Sequence, residues 1–523
     1  MFIGTAWAIV PPLVAIMLAL ITKEVYSSLF AGCLLAAVFV SVSLVPEGLG
    51  LWPSVGNVAW GSFERLFTSM AENMDLNILI FDVLLGMIIV LLAKSGASMA
   101  YGAWASKRIK SKRGAMLSTS ALGILIFVDD YFNCLTVGNI MRPITDKYHV
   151  SRAKLAYIID ATAAPVCILA PVSSWAAAVS SYIPDGYDIN GFTLFCQAIP
   201  YNFYAIGTLV MVLLTSLFLF DFGKMRAHEE RAAQGDLFSS EQDDFADAEA
   251  AMEQGSPNGR VADLIVPIVV LIAAAVGAML FTGYQSGAET LVDAFANCDA
   301  AYSLVFATSV TLIVMAALYL PRKIVSFDVF CNSVADGFKL MVPACTVLVL
   351  AWTLKGVTSA LDISSFVQRL FAGNAALAGL MPLLMFLVSC VLGFSTGTSW
   401  GTMGIMIPIA VPMFAADYPM LVVAVSAIMA GAVCGDHISP ISDTTIMASA
   451  GASCKHVHHV SSQLPYALTV ATVSFFTFIV AGFAQSLGFV AGIAVSWTTG
   501  LLLLGAALCF LKKHRRPTAQ KSA

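Results

Sequence analysis

The sequence predicts an all-α polytopic membrane protein, and three observations support this prediction: abundant apolar residues, few charges, and long apolar segments along the whole chain. Of the 523 residues, 59% are hydrophobic and 11% are charged, and the mean hydropathy is +0.85. Soluble domains carry about 25% charged residues. A chain with so few charges cannot cover a surface that faces water, so we expect lipid to surround most of it.

Apolar segments of spanning length recur between short polar connections. A helix needs about 20 predominantly apolar residues to cross a bilayer. We expect spanning helices at 6–22, 26–46, 76–94, 114–128, 155–182, 192–221, 261–283, 301–320, 339–355, 376–394, 420–435, 465–486 and 488–511.

Basic residues indicate the side of the membrane that each connection faces. Lys and Arg are concentrated in 106–113, at Arg322-Lys323 and in 512–516, and such clusters favour the cytoplasmic side. This orientation places the acidic segment 223–260 in the cytoplasm, and its acidity and few aromatic residues predict a flexible linker. The chain therefore divides into an N-terminal half, 1–222, the acidic linker, 223–260, a C-terminal half, 261–511, and a basic cytoplasmic tail, 512–523.

The two halves contain similar polar segments in the same order. Residues 136–144 resemble 402–409, and residues 170–174 resemble 439–443 at a similar separation. With the loops placed in this way, the chain enters the first copy from the cytoplasmic side and the second copy from the outside. This is the arrangement of an inverted repeat. The Gly, Pro, Ser and Thr residues indicate broken helices or re-entrant hairpins. We expect these near 127–148 in the first half, and near 394–414 and 435–450 in the second.

Polar residues interrupt the apolar segments within each copy. An ionised carboxylate in the bilayer costs about 2.5 to 3.5 kcal/mol, so we expect each one to bind a cation, a proton or a partner. Hard cations prefer oxygen ligands, including the carbonyls of unwound backbone. We expect Na⁺ at Asp129, Asp436 and Asp443, with release when these carboxylates take a proton. The full set of candidate ion-binding residues is Asp129, Asp130, Asn133, Ser173, Ser174, Thr396, Thr398, Ser399, Asp436, Ser439, Ser442, Asp443 and Thr444.

Structural roles compete with ion binding at several positions. Asp129 and Asp130 can cap a helix at the edge of the bilayer, and the Ser and Thr hydroxyls can pack between helices. Asp160 lies in an apolar helix, and the sequence leaves two alternatives for it: an ion site or a structural pair with a basic residue. The histidines of 454–459 do not have the spacing of a zinc site, so we expect a solvated surface loop there.

Longer motifs carry a family resemblance. Residues 434–445, with sequence CGDHISPISDTT, closely resemble the signature of the NhaC family of Na⁺/H⁺ antiporters. Residues 129–133 (DDYFN) and 397–402 (GTSWGT) are also similar to that family. The resemblance implies a bacterial inner-membrane antiporter of the ion transporter superfamily, with inverted repeats, paired hairpins and a transport domain that moves against a scaffold domain. It also implies a range of substrates, since some members are similar to malate/lactate antiporters and others are linked to amino acids.

The residues and the resemblance together favour a secondary transporter that exchanges Na⁺ for H⁺ by alternating access. The alternative is a cation-coupled antiporter or symporter of an organic acid or amino acid, whose carboxylate would be held by hydroxyls and helix N-termini. Gly435-Asp436 is also similar to a motif of aspartyl intramembrane proteases, but so short a match occurs often by chance, and we expect no enzyme. We expect no cofactor and no nucleic-acid partner, and the sequence leaves a homodimer open.

Overall fold

The structure is a computed structural model in which most of the described residues are helical, with no strand among them. This confirms the all-α prediction. The predicted basic tail lies outside the described part beyond Lys513. The described residues are 2–22, 24–45, 51–127, 129–183, 187, 189–237, 256–362, 375–414, 416–440 and 442–513.

The N-terminal half and the start of the linker contain helices α1 to α13, and several begin at a side chain that caps them. Ser111, Ser151 and Asn202 each accept a hydrogen bond from a backbone N–H of the first turn, as Ser and Asn do at helix N-termini. The helices are α1, Val10–Thr22; α2, Val25–Ser43; α3, Leu51–Glu72; α4, Leu76–Lys94; α5, Ala97–Arg108; α6, Lys112–Leu125; α7, Asp130–Lys147; α8, Arg152–Thr162; α9, Ala164–Cys167; α10, Ser174–Ser181; α11, Gly191–Ala198; α12, Phe203–Phe218; and α13, Gly223–Ala232.

The C-terminal half contains helices α14 to α23. Asp299 and Asp417 cap two of them by accepting a hydrogen bond from the backbone N–H of Tyr302 and of Met420 respectively. The helices are α14, Ala262–Gln285; α15, Leu291–Ala296; α16, Ala300–Tyr319; α17, Phe327–Ser359; α18, Ala375–Thr396; α19, Ser399–Phe414; α20, Tyr418–Ile438; α21, Asp443–Gly451; α22, His456–Ala484; and α23, Phe489–Lys513.

Within the described residues, nine helices are long and apolar enough to cross a membrane. Helix α17 adds a tenth if its two parts, Phe327–Val342 and Cys345–Leu354, which meet at 49°, form one span. The chain is a multi-pass membrane protein. The nine helices are Tyr26–Ser43, Leu76–Lys94, Phe203–Ala232, Ala262–Gln285, Ala300–Tyr319, Ala378–Thr396, Tyr418–Ile438, His456–Leu487 and Phe489–Lys512.

The predicted continuous span 155–182 is wrong. The structure divides it into α8, α9 and α10, with 11, 4 and 8 residues. Helix α8 ends because Ala163 adopts φ −88° and ψ −94°, outside the helical region. Pro165 and Pro171 lack the backbone N–H that a continuous helix needs. Two other predicted spans also differ: 114–128 corresponds to the 14-residue α6, and 192–221 is interrupted between α11 and α12.

The acidic linker differs from the prediction in its first part, where α13 replaces the expected flexible chain. Glu229 of α13 forms an ion pair with Lys112 at 2.7 Å and accepts a hydrogen bond from the backbone N–H of Ser151 at 2.8 Å. These two contacts attach α13 to the starts of α6 and α8. Residues 238–255 of the linker lie outside the described part of the chain.

The helices pack into two groups. Helices α1–α4, α14, α16 and α17 form one group, here named the first bundle; α6–α8, α12 and α18–α22 form the other, the second bundle. The bundles meet where α17 packs against α19. Helix α20 lies at the centre of the second bundle, and 89% of its membrane-spanning stretch is buried. The assignment of scaffold and transport roles to these bundles stays a prediction.

The two halves follow the same order of elements at the predicted repeats. In the first half, a break separates α6 from α7 and α8, and a second break precedes α10. In the second half, a break separates α18 from α19 and α20, and a second break precedes α21. The copies are also in contact, since α7 packs against α21 and α10 against α19. The opposite orientation of the two copies stays a prediction.

Helices α7 and α21 approach closely at Gly138 and Gly451. A Cβ on Gly138 would collide with the backbone of Gly451, and a Cβ on Gly451 would collide with the carbonyl oxygen of Cys134. Small residues allow membrane helices to pack with their backbones in contact. This pair therefore sets the spacing between one helix of each half.

We expect Gly138→Ala to lower the thermal unfolding temperature of the purified protein. The added methyl group forces two backbones apart, and overpacking of this kind costs about 1–3 kcal/mol. Gly277→Ala in α14 is the matched control, because its Cβ would meet nothing within 4 Å and alanine favours the helix by about 1 kcal/mol. Equal unfolding temperatures for the two variants would contradict the close contact.

Candidate functional site

The candidate site lies where helices of both halves are interrupted. The chain leaves helical geometry after Leu125, Cys167, Thr396 and Ile438, and each of these points belongs to one of the predicted polar segments. Interrupted helices inside a membrane protein expose backbone polar groups that need partners. The side chains at the four breaks show which partners the protein supplies.

Three carboxylates from the two halves come together at these breaks. Asp129 and Asp130 precede and begin α7, and Asp436 lies near the end of α20; they are 1%, 1% and 3% exposed respectively. Asp130 is within electrostatic reach of both Asp129 and Asp436. We name Asp129, Asp130 and Asp436 the carboxylate cluster. The structure thus brings Asp436 to two predicted site residues that are about 300 positions away in sequence.

Neutral donors contact two members of the carboxylate cluster. The Ser399 hydroxyl donates to Asp436 Oδ2 at 2.8 Å, and Trp175 Nε1 lies 3.4 Å from Asp130 Oδ1. The rings of Trp175 and Trp400 also meet across the two halves, with centroids 5.7 Å apart and planes at 61°. Each half therefore supplies both an acid and a tryptophan to the same place.

Asn133 holds two broken helix ends together. Its Nδ2 donates to the carbonyl oxygens of Gly123, Ile126 and Thr162 at 2.7, 2.9 and 3.1 Å. Those oxygens belong to the ends of α6 and α8, which would otherwise lack donors. Asn133 Oδ1 is buried and has no hydrogen-bond partner among the described residues. It is therefore the one atom of this side chain that stays available as a ligand.

Most of the predicted hydroxyl ligands have structural hydrogen bonds in this structure. Ser173 caps α10 and donates to the carbonyl oxygens of Cys167 and Ala170, both at 2.9 Å. Thr396 donates to the carbonyl oxygen four residues earlier, at 2.8 Å. Ser439 donates to the Phe394 carbonyl oxygen at 2.7 Å. These bonds satisfy backbone groups at the breaks.

The remaining predicted residues lie close to the ends of helices. Thr398 Oγ1 accepts a hydrogen bond from the Gly401 backbone N–H at 3.5 Å, Ser442 caps α21, and the Ser442 and Thr444 hydroxyls are 3.0 Å apart. Ser174 is buried at the start of α10. Asp443 begins α21, but its side chain lies outside the described part of the structure, so its predicted Na⁺ role stays a prediction.

Sequence analysis left Asp160 open, and the structure places it at the centre of a polar network. Its Oδ2 accepts hydrogen bonds from Gln463 Nε2 at 2.7 Å and Thr445 Oγ1 at 3.1 Å, and it lies 3.2 Å from His459 Nε2. His437 Nε2 is 3.9 Å from the same oxygen. All four partners come from the C-terminal half. The partners could not be identified from sequence, because they are far from Asp160 along the chain.

The expected surface loop at 454–459 is wrong. Helix α22 begins at His456, and His459 is fully buried against Asp160. His456 is 3.0 Å from Ser449 Oγ through Nδ1 and 2.7 Å from the Pro440 carbonyl oxygen through Nε2. His456 and His459 thus face α21 and α8 respectively, and the hydrophilic sequence does not indicate exposure of these two side chains to water.

Two further side chains near the site were not predicted from the sequence. Asp82 lies in the middle of α4, is 1% exposed and is within electrostatic reach of Asp129. A single acid in an apolar span was the signal that could have identified it. Cys134, one turn after Asp130, lies within reach of both the carboxylate cluster and Asp160.

Cation binding at this site would rely on mixed oxygen ligands. Among the described residues, no group of three or more His, Cys, Asp or Glu side chains is arranged to hold a metal ion. The candidate ligands are the acids of the carboxylate cluster together with nearby hydroxyl, amide and carbonyl oxygens. Such hard, partly neutral oxygen sets suit an alkali cation, which needs no soft ligand.

Comparisons with known proteins agree with a transport function. Residues 166–483 match the model of the Na⁺/H⁺ antiporter family. The chain is 39% identical over 497 residues to an uncharacterized protein of Haemophilus influenzae, covering 93% of this chain and 92% of that protein. It is also 36% identical over 106 residues to the malate-2H⁺/Na⁺-lactate antiporter of Bacillus subtilis, covering 19% of this chain and 22% of that protein.

Two solved transporters are distant neighbours in structure. The antimetabolite efflux pump MtrF of Neisseria gonorrhoeae aligns with a TM-score of 0.48 and 13% identity, covering 87% of this chain and 94% of that chain. The YdaH transporter of Alcanivorax borkumensis aligns with a TM-score of 0.43 and 13% identity, covering 80% and 88%. Both scores are too low to establish a common fold.

We expect Asn133→Ala to destabilise the protein. The substitution leaves three buried carbonyl oxygens without their donor, and each unsatisfied buried group costs about 1–3 kcal/mol. The thermal unfolding temperature should therefore fall. Asn258→Ala, at an exposed position, is the control and should leave it unchanged. An Asn133→Ala variant as stable as this control would show that the amide does not hold the two helix ends.

Proposed function

The chain belongs to the Na⁺/H⁺ antiporter family, and from that premise we propose that this secondary transporter exchanges Na⁺ for H⁺ across a bacterial inner membrane. The observation that carries the proposal is the carboxylate cluster, in which each half contributes acids to one buried place. A transporter has no need to change its substrate chemically, and we propose that the chain is not an enzyme.

Na⁺ and protons compete for the same carboxylate oxygens, and this competition couples their exchange. When carboxylates of like charge are held together, each favours neutralisation of its neighbours by a proton or a cation. A Na⁺ ion that enters the cluster displaces protons, and protons that enter displace Na⁺. Ser399 supports either state, because its hydroxyl donates to Asp436 and its oxygen can still contact a cation.

Alternating access requires that this cluster open to one side of the membrane at a time. The carboxylate cluster lies in and beside the second bundle, and helix α17 of the first bundle packs against helix α19 of the second bundle. We propose that the second bundle is the transport domain and that it moves against the first bundle, which serves as the scaffold. The basic segment 106–113 would then mark the cytoplasmic side.

A second candidate function is exchange of an organic acid. The similarity to the malate-2H⁺/Na⁺-lactate antiporter over 106 residues favours this alternative. Arg142 of α7 bonds to the Ser453 hydroxyl and is half-buried. A guanidinium in that position is suited to a carboxylate. The same carboxylate cluster would then carry the coupling cation.

We expect Asp436→Asn to weaken Na⁺/H⁺ exchange. The amide keeps the size of the side chain and its acceptor for Ser399 but removes the charge. Charge-assisted contacts are worth about 1.5–3 kcal/mol, so the Na⁺ concentration for half-maximal exchange should rise roughly ten- to a hundredfold. Proton flux can be followed with a pH-sensitive dye in proteoliposomes across a Na⁺ titration.

Glu289→Gln is the control for this measurement. Glu289 is exposed in the connection between α14 and α15, so the substitution removes one acid without touching the cluster and should leave exchange intact. Exchange that stays unchanged in Asp436→Asn, in folded and correctly inserted protein, would remove the carboxylate cluster from the mechanism.

We expect the wild-type protein to exchange Na⁺ for H⁺ without an organic anion. The cluster can be neutralised by Na⁺ or H⁺ alone, so the dye signal should appear in vesicles that contain only inorganic salts. Labelled malate, lactate and amino acids should show no counterflow. Counterflow of one of these solutes, with no exchange of cations alone, would favour the organic-acid alternative.

A further inference from the structure

We propose that Gln463 is a positioning residue for cation binding, because it holds the end of helix α20 in the place from which Asp436 reaches the carboxylate cluster. Gln463 lies in α22 and is outside the set of predicted ion-binding residues. The inference rests on the proposed function, since it concerns how the same site achieves its affinity for Na⁺. It adds no ligand to the site, because Gln463 acts through the residue that follows Asp436.

The side-chain amide of Gln463 connects Asp160 of the N-terminal half to His437 of the C-terminal half. Gln463 is 1% exposed, and its Nε2 donates to Asp160 Oδ2 at 2.7 Å and to the His437 carbonyl oxygen at 2.5 Å. An ionised carboxylate and a backbone carbonyl only accept hydrogen bonds, so the amide nitrogen must face them. Both hydrogens of the amide are then used.

This orientation of the amide leaves its oxygen unsatisfied. Gln463 Oε1 is buried and has no hydrogen-bond partner among the described residues. Buried polar atoms of this kind are rare in folded proteins and call for an explanation. The reversed orientation would place Oε1 against two other oxygens. The protein therefore accepts one unpaired oxygen in order to keep the two hydrogen bonds of the nitrogen.

The His437 carbonyl oxygen belongs to the last turn of α20, which ends at Ile438. The last carbonyl oxygens of a helix have no N–H partner within the helix. Gln463 supplies a donor to one of them. At the side chain of the same residue, the Tyr204 hydroxyl of α12 is 2.8 Å from His437 Nδ1. His437 is therefore held both by its backbone and by its ring.

Asp436 directly precedes His437, so one planar peptide unit transmits the position of the carbonyl to the acid. Asp436 Oδ2 accepts a hydrogen bond from the Ser399 hydroxyl at 2.8 Å, and the Asp436 carbonyl oxygen accepts one from the Ser439 backbone N–H at 2.9 Å. Partners that orient a metal ligand without touching the metal typically contribute a factor of about 10–100 to its affinity. Gln463 stands in this relation to Asp436.

The same contacts assign a role to Asp160, for which the sequence left two alternatives. Its Oδ2 also accepts a hydrogen bond from Thr445 Oγ1 at 3.1 Å and lies 3.2 Å from His459 Nε2. Hydrogen bonds to an ionised acceptor are stronger than those between neutral groups. Asp160 thus orients Gln463, and through it the N-terminal half influences the end of α20 without contacting the ion.

A Na⁺ titration of proton flux in proteoliposomes tests the positioning role. Gln463→Met keeps the approximate length of the side chain and removes both donors. We expect the Na⁺ concentration for half-maximal exchange to rise roughly tenfold, while the maximal rate per folded protein stays unchanged. Thr469→Val is the matched control. The Thr469 hydroxyl donates to the Pro465 carbonyl oxygen within α22, at 2.7 Å, so its loss should change neither quantity.

A double variant shows whether Gln463 acts through Asp436. Effects of independent residues multiply, whereas effects of residues that act on one another do not. Asp436→Asn has already removed the charge that Gln463 positions. Adding Gln463→Met to it should therefore raise the half-maximal Na⁺ concentration by no more than about twofold. A further tenfold rise in the double variant would overturn the positioning role.

The remaining outcomes separate this inference from the proposed function. An unchanged half-maximal Na⁺ concentration in folded Gln463→Met, with or without a lower maximal rate, overturns the inference and leaves Na⁺/H⁺ exchange intact. If the folded wild type shows no Na⁺-dependent proton flux, both proposals fail. If Gln463→Met does not fold, Gln463→Asn decides, because its shorter side chain keeps the amide but cannot reach both acceptors. An unchanged half-maximal concentration in that variant also overturns the inference.

Discussion

The free-energy cost of removing ionisable groups from water governs the interior of this protein. Buried charged side chains with a structural role have partners close by. The buried Lys154 pairs with Asp221 at 2.7 Å, and the Tyr466 hydroxyl donates to the same Asp221 oxygen at 2.8 Å. Asp160 is likewise surrounded by donors. At the carboxylate cluster the neighbouring charges have the same sign, and in the proposed function a Na⁺ ion or a proton neutralises them. Under the proposed function, this difference distinguishes acids that stabilise the fold from acids that bind the transported ion.

Sequence patterns predicted the fold class and the places where helices break, because both depend on local composition. Apolar segments of spanning length need lipid, and clusters of Gly, Pro, Ser and Thr next to acids interrupt helices. The segment 155–182 shows the limit of this reasoning. Its mean hydropathy is that of a span, whereas the break at Ala163 depends on a single backbone conformation that hydropathy cannot detect.

The candidate site was predictable only in part, since local patterns name polar residues but not their partners. The acids of the carboxylate cluster were identified from their motifs, yet their proximity required the fold. Several hydroxyls that were predicted as ligands, such as Ser173 and Ser439, bond to backbone carbonyl oxygens in this structure. Asp82 was not predicted because it lies outside the repeated polar segments. Lone acids in apolar helices are informative even without a motif.

The Asp160 network has a consequence for how the protein is made. Helix α8 is synthesised and inserted long before Thr445, His459 and Gln463, which supply the hydrogen bonds to Asp160. The N-terminal half alone therefore lacks the side chains that hydrogen-bond to Asp160 in the folded protein. This acid acquires its partners only when the two halves associate.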